Sequence, residues 1–201
     1  MKRLRIIMTA LVLGVAAALA VGPAAVAKAN RPGFSDLGAT VVTTAPGIAQ
    51  TLVDAGITPA GVGQTGVKLL TGNGLQARFT FPISKNSADL ASGTGHIRHG
   101  GGISLTSDAA ALEIGKFDID LQAGKVFARE VNYSYGTRIP VLDLDLSGLT
   151  IGTNAAGATV LSGIVVRLDP VAAEAINATF AVSLPADGSL VFGRARVIIS
   201  G

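Results

Sequence analysis

The sequence predicts an all-β fold, mainly an antiparallel β-sandwich or barrel, with two short helices that each follow a strand. Three observations carry this expectation. Short apolar runs recur between Gly, Pro, Asn and Asp punctuation, the pattern of many short strands joined by turns. Two runs, Phe117-Asp118-Ile119-Asp120-Leu121 and Leu142-Asp143-Leu144-Asp145-Leu146, alternate strictly. A period of two puts every apolar side chain on one face of a half-buried strand. Finally, the 201 residues are 49% hydrophobic and 14% charged, with 26 Gly and no Cys. Such a chain is long enough to build a core without covalent staples, and too apolar to remain disordered.

Residues 1–29 read as a secretory signal peptide. Lys2, Arg3 and Arg5 form a basic start, Ile6 to Val21 carries no charge, and Gly22-Pro23 breaks the run. Both Ala25-Val26-Ala27 and Ala27-Lys28-Ala29 fit a small-x-small cleavage pattern. The uncharged run is shorter than the ~20 residues that span a bilayer. No transmembrane segment is expected after cleavage, and the location implied is secreted or associated with the cell envelope. Residues 30–36, with Arg31-Pro32-Gly33, are expected to form a flexible lead. Residues 37–201 then make a single β-rich domain, since no Pro- and Ser-rich linker divides them.

Within that domain, strands are predicted near residues 39–44, 67–70, 76–83, 95–99, 102–106, 111–114, 116–121, 125–133, 138–146, 159–168 and 190–199. Asp169-Pro170 opens a helix that runs to Phe180. Asp caps free amides, and Pro at the first helical position forfeits no hydrogen bond. A second helix is predicted from Pro46 to Ala55, ended by Gly56. Each helix follows a strand, starts at a Pro and precedes a strand that contains Ala-Arg (Ala77-Arg78; Ala195-Arg196). This suggests a degenerate strand–helix–strand repeat.

The formal charge of +3 invites a nucleic-acid reading. Four of the sixteen basic residues, and none of the thirteen acidic ones, lie in residues 1–29. Cleavage after Ala29 leaves twelve against thirteen, a net charge of −1; cleavage after Ala27 leaves zero. The basicity belongs to the export signal, and no nucleic-acid partner is implied. The absence of Cys excludes disulfides, thiolate metal sites, cysteine nucleophiles and a thioether lipid anchor. No G-x-S-x-G, H-E-x-x-H or G-K-[ST] motif is present, so no enzyme is predicted.

The candidate ligand-binding residues are His96, His99, Tyr133 and Tyr135. The only two His sit in His96-Ile97-Arg98-His99-Gly100-Gly101-Gly102. Residues three apart on a strand face opposite ways, so the pair does not readily grip one metal, and no metal is predicted. The glycines either form a hairpin turn or admit a ligand close to the backbone. Tyr133-Ser134-Tyr135 supplies the only two phenols, which either cap apolar surface or meet a ring or a haem iron. The pairs Asp118/Asp120 and Asp143/Asp145 read as the solvated face of a sheet, with Ca²⁺ binding or acid–base chemistry as the alternatives.

Phe81-Pro82-Ile83, Gly95 to Leu105, Phe117-x-Ile119-Asp120, Leu142 to Gly148 and Leu168-x-Pro170-x-x-Ala173-x-x-Ile176-Asn177 resemble secreted β-rich proteins of actinobacteria. The stretch Phe81–Gly148 is also similar in layout to HtaA-type haem-transport domains. That resemblance implies an extracellular haem-binding β-domain with a Tyr ligand and a nearby His. The aromatic opening that carries the family's ligating Tyr has no counterpart, because Phe34 to Gly66 holds no Tyr. Of the family's ligands, only the nearby His has a counterpart, at His96 or at His99.

Three functions stay open. The first is an exported, non-enzymatic binding or structural module of a Gram-positive envelope, with no cofactor. The second is a domain for haem or another hydrophobic ligand. The third is an envelope-polymer hydrolase using Asp residues. The partners expected are an envelope component or a small hydrophobic molecule.

Overall fold

Alternating apolar residues in successive strands leave each strand with one face to bury, and here the strands bury it by closing on one another. The computed structural model describes residues 32–132 and 134–200. The predicted signal peptide and Tyr133 lie outside the described residues. The elements run β1 (Gly38–Thr44), α1 (Ile48–Asp54), β2 (Thr58–Val62), β3 (Gly66–Leu70), β4 (Gln76–Asn86), β5 (His96–His99), β6 (Gly102–Thr106), β7 (Ala111–Gly115), β8 (Asp118–Asp120), β9 (Lys125–Val131), β10 (Ser134–Asp145), β11 (Thr150–Thr153), β12 (Thr159–Leu168), α2 (Pro170–Phe180) and β13 (Val191–Ile199). The all-β expectation with two short helices after strands holds.

Hydrogen bonding follows the order β10-β12-β13-β1-β4-β5-β8-β9, and β9 pairs in turn with β10. The result is a closed antiparallel ring of eight strands. Its inward positions are Val42, Phe79, Phe81, Ile97, Ile119, Val126, Ile164, Val166, Ala195 and Val197, all buried. Burying each large aliphatic side chain among them contributes roughly 1.5–3 kcal/mol.

β5 with β6, and β7 with β8, are the two arms of one long hairpin, since β6 pairs with β7 and β5 with β8. The arms fold sharply at Gly100-Gly101 and at Lys116-Phe117. The glycine run is therefore not the hairpin turn that the sequence suggested; the turn lies at residues 107–110. Gly101 takes φ +69°, and a Cβ there would collide with the Thr65 hydroxyl and lie 2.6 Å from the Val62 carbonyl oxygen. Lys116, predicted within a strand, adopts φ +53° instead. A non-Gly residue in this region is uncommon, and β8 accordingly begins only at Asp118.

Two strands were not predicted. β2 contains Pro59 and Gly61, poor strand residues, and among the described residues it pairs only with β6, at an edge, where Pro is tolerated. All four residues of β11 are exposed, so they show no alternation to read. Helix α1 starts at Ile48 rather than Pro46, because Gly47 takes φ +90° and supplies no side-chain cap.

β1 and β12 are both antiparallel to β13, so they run the same way, and α1 and α2 leave from the same end of the ring. The two strand–helix–strand units thus share a topology. Residue for residue they differ: Arg78 lies opposite Thr43 on β1, whereas the β12–β13 ladder shifts register beside Arg196. At the N-terminal end, Gly33 is buried against Thr80, and the Ser35 hydroxyl donates to the Ile83 carbonyl. Among the described residues, no helix is long and apolar enough to cross a membrane.

Helix α2 seats Ala172, Ala173 and Ile176 in the core and packs on β10. Asp169 caps it, accepting from the Val171 amide at 2.9 Å, and its other carboxylate oxygen accepts from Lys125 at 2.7 Å. One buried carboxylate therefore joins the helix start to β9. Replacing Asp169 with Ala removes both links and is expected to cost about 2 kcal/mol or more in a urea melt. Asp169→Asn keeps the cap acceptor and is expected to cost less.

Candidate functional site

Closing the ring encloses an elongated apolar cavity of about 180 Å³. Residues from the whole length of the ring line it, among them Val42, Phe81, Ile119, Leu144 and Val166. Four polar side chains also reach it: Thr40, Thr44, Thr51 and His99. The Thr44 hydroxyl accepts from the Ala77 amide, and the Thr51 hydroxyl donates to the Gly47 carbonyl. Thr40 and His99 serve each other.

His99 occupies an inward position of β5, where strand alternation would otherwise place an aliphatic residue. It is 3% exposed. Its Nδ1 lies 3.3 Å from the Phe117 carbonyl and its Nε2 2.7 Å from the Thr40 hydroxyl. A carbonyl only accepts, so Nδ1 carries the proton and donates. Nε2 then accepts from the Thr40 hydroxyl, whose oxygen retains lone pairs toward the cavity. Phe81 meets His99 edge-on at 6.4 Å and Phe117 edge-on at 5.1 Å, so the Phe81 ring packs against both the imidazole and the Phe117 ring. Burial in this apolar setting pushes the imidazole pKa down to about 4, with the Phe117 carbonyl opposing the shift.

His96, three residues earlier, faces the other way. Its Nδ1 lies 3.2 Å from an Asp118 carboxylate oxygen, and the ring is more than a third exposed. With the carboxylate as acceptor, Nδ1 is the protonated nitrogen and Nε2 is free to bind a ligand. A carboxylate behind an exposed imidazole is the arrangement that orients metal-ligating histidines. Arg98 stands on the same side, with Nε 3.8 Å from Asp118 and without a hydrogen-bond partner. The two His are therefore not brought together, as their spacing implied.

The Asp pairs are not a free solvated row, as the sequence suggested. Asp118 is buried beside His96 and Arg98. Asp120 pairs with Arg138, whose guanidinium also lies 3.5 Å from the Phe127 ring centre, a cation–π contact. An amide from Ala123 holds the Asp120 carboxyl below its usual range, with Arg138 adding to the effect. Asp143 and Asp169 share Lys125 and raise its pKa through their hydrogen bonds. Only Asp145 stays at the surface, where Ser147 donates to it. Basic partners on neighbouring strands draw the other carboxylates together, and sequence distances of 18 to 44 residues hide such pairs. Of the phenols, Tyr133 lies outside the described residues, and the Tyr135 backbone pairs with Glu130 on the β9–β10 ladder. Thr40, the closest polar partner of His99, was not anticipated; its one signal was a Thr in an inward strand position.

These features define a closed antiparallel barrel with an apolar interior, one neutral His inside and one carboxylate-backed His outside. No family model matches the sequence, and no curated protein matches it. The structure is similar to the crystal structure of the C-terminal domain of HtaA from Corynebacterium glutamicum. The match has a TM-score of 0.51 at 17% identity, and it covers 81% of this chain and 98% of that one. The likeness shows a shared fold, and at that level the resemblance drawn from Phe81–Gly148 is borne out.

The depressed His99 pKa makes stability depend on pH. The folded state keeps His99 neutral down to about pH 4, whereas the unfolded chain protonates near 6.5. Between these values the unfolded state binds more protons, so stability is full above 6.5 and is lost as pH falls toward 4. The loss should reach about 3 kcal/mol. Urea midpoints at pH 7 and pH 4.5 should differ less in His99→Phe than in the wild type; equal pH dependence would remove the assignment.

Proposed function

We propose that the chain is an exported binding module, not a catalyst, and that it takes a small, mostly apolar molecule into the barrel. The apolar cavity carries this reading. Each polar side chain of its lining has a hydrogen-bond partner within the protein, and the oxygens of Thr40, Thr44 and Thr51 keep lone pairs that a guest's donor could use. A cavity of about 180 Å³ suits a benzene-sized guest, given that an engineered cavity of roughly 150 Å³ binds benzene. The favoured ligand is one aromatic ring with a single hydroxyl, which would donate to one of these threonine oxygens. The paired carboxylates leave no obvious acid and base for hydrolysis, which supports the non-enzymatic reading. The sequence of residues 1–29 supports export.

A second reading, haem binding, is favoured by the HtaA-like fold together with His96. Drug-sized ligands fill pockets of roughly 300–1,000 Å³, so haem does not fit the interior cavity. His99 has both ring nitrogens engaged and lies inside. His96 fits better: its Nε2 is open, Asp118 holds the ring, and Arg98 offers a cation to a propionate. Bound there, haem would be held by the His96 imidazole and would supply a redox-active iron centre.

The two readings separate in one pair of measurements. Phenol at saturating concentration should raise the melting temperature by a few degrees through preferential binding to the folded state. The shift should shrink in Val42→Leu, which narrows the cavity. Haemin should give a shifted Soret band only if the second reading holds, and that band should disappear in His96→Ala and persist in His99→Phe. Flat responses to both ligands would remove both readings.

A further inference from the structure

We propose that the outer face of β3, β4, β1 and β13 binds a linear phosphodiester polymer that carries no bases, of the kind formed by glycerol phosphate units. This face lies outside the ring, apart from the apolar cavity.

Strand register assembles it. Lys68 on β3 lies opposite Arg78 on β4, Arg78 opposite Thr43 on β1, and Thr43 opposite Arg194 on β13. Opposed residues on neighbouring strands share a face. The next residues along these strands, Phe79, Val42 and Ala195, are buried in the core, so the row points outward. Arg196, two residues after Arg194, stands on the same face. Three strand spacings put Lys68 and Arg194 about 14 Å apart, and Arg196 lies about 7 Å farther along β13. Pro32 and Gly33 cross the adjoining row, over Gly66 and Thr80, yet all four basic residues remain exposed.

Charge is sorted onto this face. Residues 32–200 hold eleven Lys and Arg against thirteen Asp and Glu. The strands β1, β3, β4 and β13 nevertheless contain five basic residues and no acidic one. Among the described residues, Lys68, Arg78, Arg194 and Arg196 form no ion pair. The row reaches a carboxylate only at Asp145 on β10, beyond Val165, and Ser147 donates to that carboxylate. Like charges placed directly opposite on an antiparallel ladder repel, and Lys68 and Arg78 are such a pair. An anion laid along the row relieves that repulsion.

The spacing suits a chain of anions. A single phosphate reaches one or two of these cations, whereas a strand of phosphates meets them all and releases its counterions. A lipid surface fits less well, because peripheral docking also seats apolar side chains in the bilayer. None of the exposed large apolar residues stands in these rows. Single-stranded nucleic acid draws affinity from stacking on aromatic rings. The aromatic residues of β4, Phe79 and Phe81, are buried on the inward side. Between the basic residues the face offers Thr43, Thr80 and Val41, which neither stack nor insert.

The test is fluorescence anisotropy of a dye-labelled poly(glycerol phosphate) oligomer titrated with the folded protein. Saturable binding is expected, weakening about tenfold or more for a fourfold rise in salt, as four neutralised phosphates require. The double variant Arg194→Glu/Arg196→Glu should bind at least tenfold more weakly, and Arg78→Gln a few-fold more weakly. Arg129→Glu, an exposed site on β9 across the ring, makes the same charge change and should bind like the wild type. Lys68→Gln should melt no lower than the wild type, because it removes one of two opposed like charges. Binding unchanged in the double variant, equal loss in Arg129→Glu, or no binding at low salt would overturn the proposal. So would tighter binding of oligo(dT) or of phosphatidylglycerol vesicles, which would assign the face to nucleic acid or to a membrane.

Discussion

The pairing of β9 with β10 is the contact on which most of this structure depends. Without it the strands form an open sheet with one apolar face exposed; with it they enclose that face. β9 meets β8 with its first half, β7 with its second and β10 along much of its length. One strand therefore joins the ring to the extension formed by β2, β6 and β7. The same pairing brings Lys125 beside Asp143, and β10 in turn holds the strand that leads into Asp169. The ion cluster at the start of α2 is thus a consequence of closure, and so is the helix position at the end of the ring.

Closure also separates the two His. A strand entering a barrel sends alternate side chains to environments that differ greatly in polarity. His99 enters an apolar interior and stays neutral, held by a carbonyl and a hydroxyl. His96 stays at the surface, where a buried carboxylate favours its ring without taking up its second nitrogen. Three residues of sequence yield one imidazole that serves packing and one that remains chemically available. The Thr40 bond matters because it satisfies the nitrogen that would otherwise face apolar surface alone.

Much of the fold was legible in the sequence. Strict alternation at Phe117–Leu121 and Leu142–Leu146 marked half-buried strands, and Asp169-Pro170 marked the start of α2. The elements that escaped notice lacked such signals. β2 is held by its ladder with β6 despite Pro59 and Gly61, and β11 is exposed throughout. The bend at Lys116 depends on a φ that no residue type announces. Sites were less legible than strands, because their partners come from distant segments. His96 and Asp118 meet across the β5–β8 ladder, and Thr40 reaches His99 from 59 residues away. A sequence shows that a His lies on a strand, but its neighbours are set by register.

Among the described residues, the ring leaves free strand edges on the elements attached outside it. There β2 pairs with β6, β3 with β4 and β11 with β12. An exposed edge is a template on which another chain can add a strand. Here one such edge lacks an amide donor at Pro59, another is four residues long, and the third carries Lys68. Each discourages growth by strand addition. A chain with only 14% charged residues has little electrostatic repulsion to keep its copies apart. The features that oppose strand addition are therefore the shape and chemistry of these three short edges rather than surface charge.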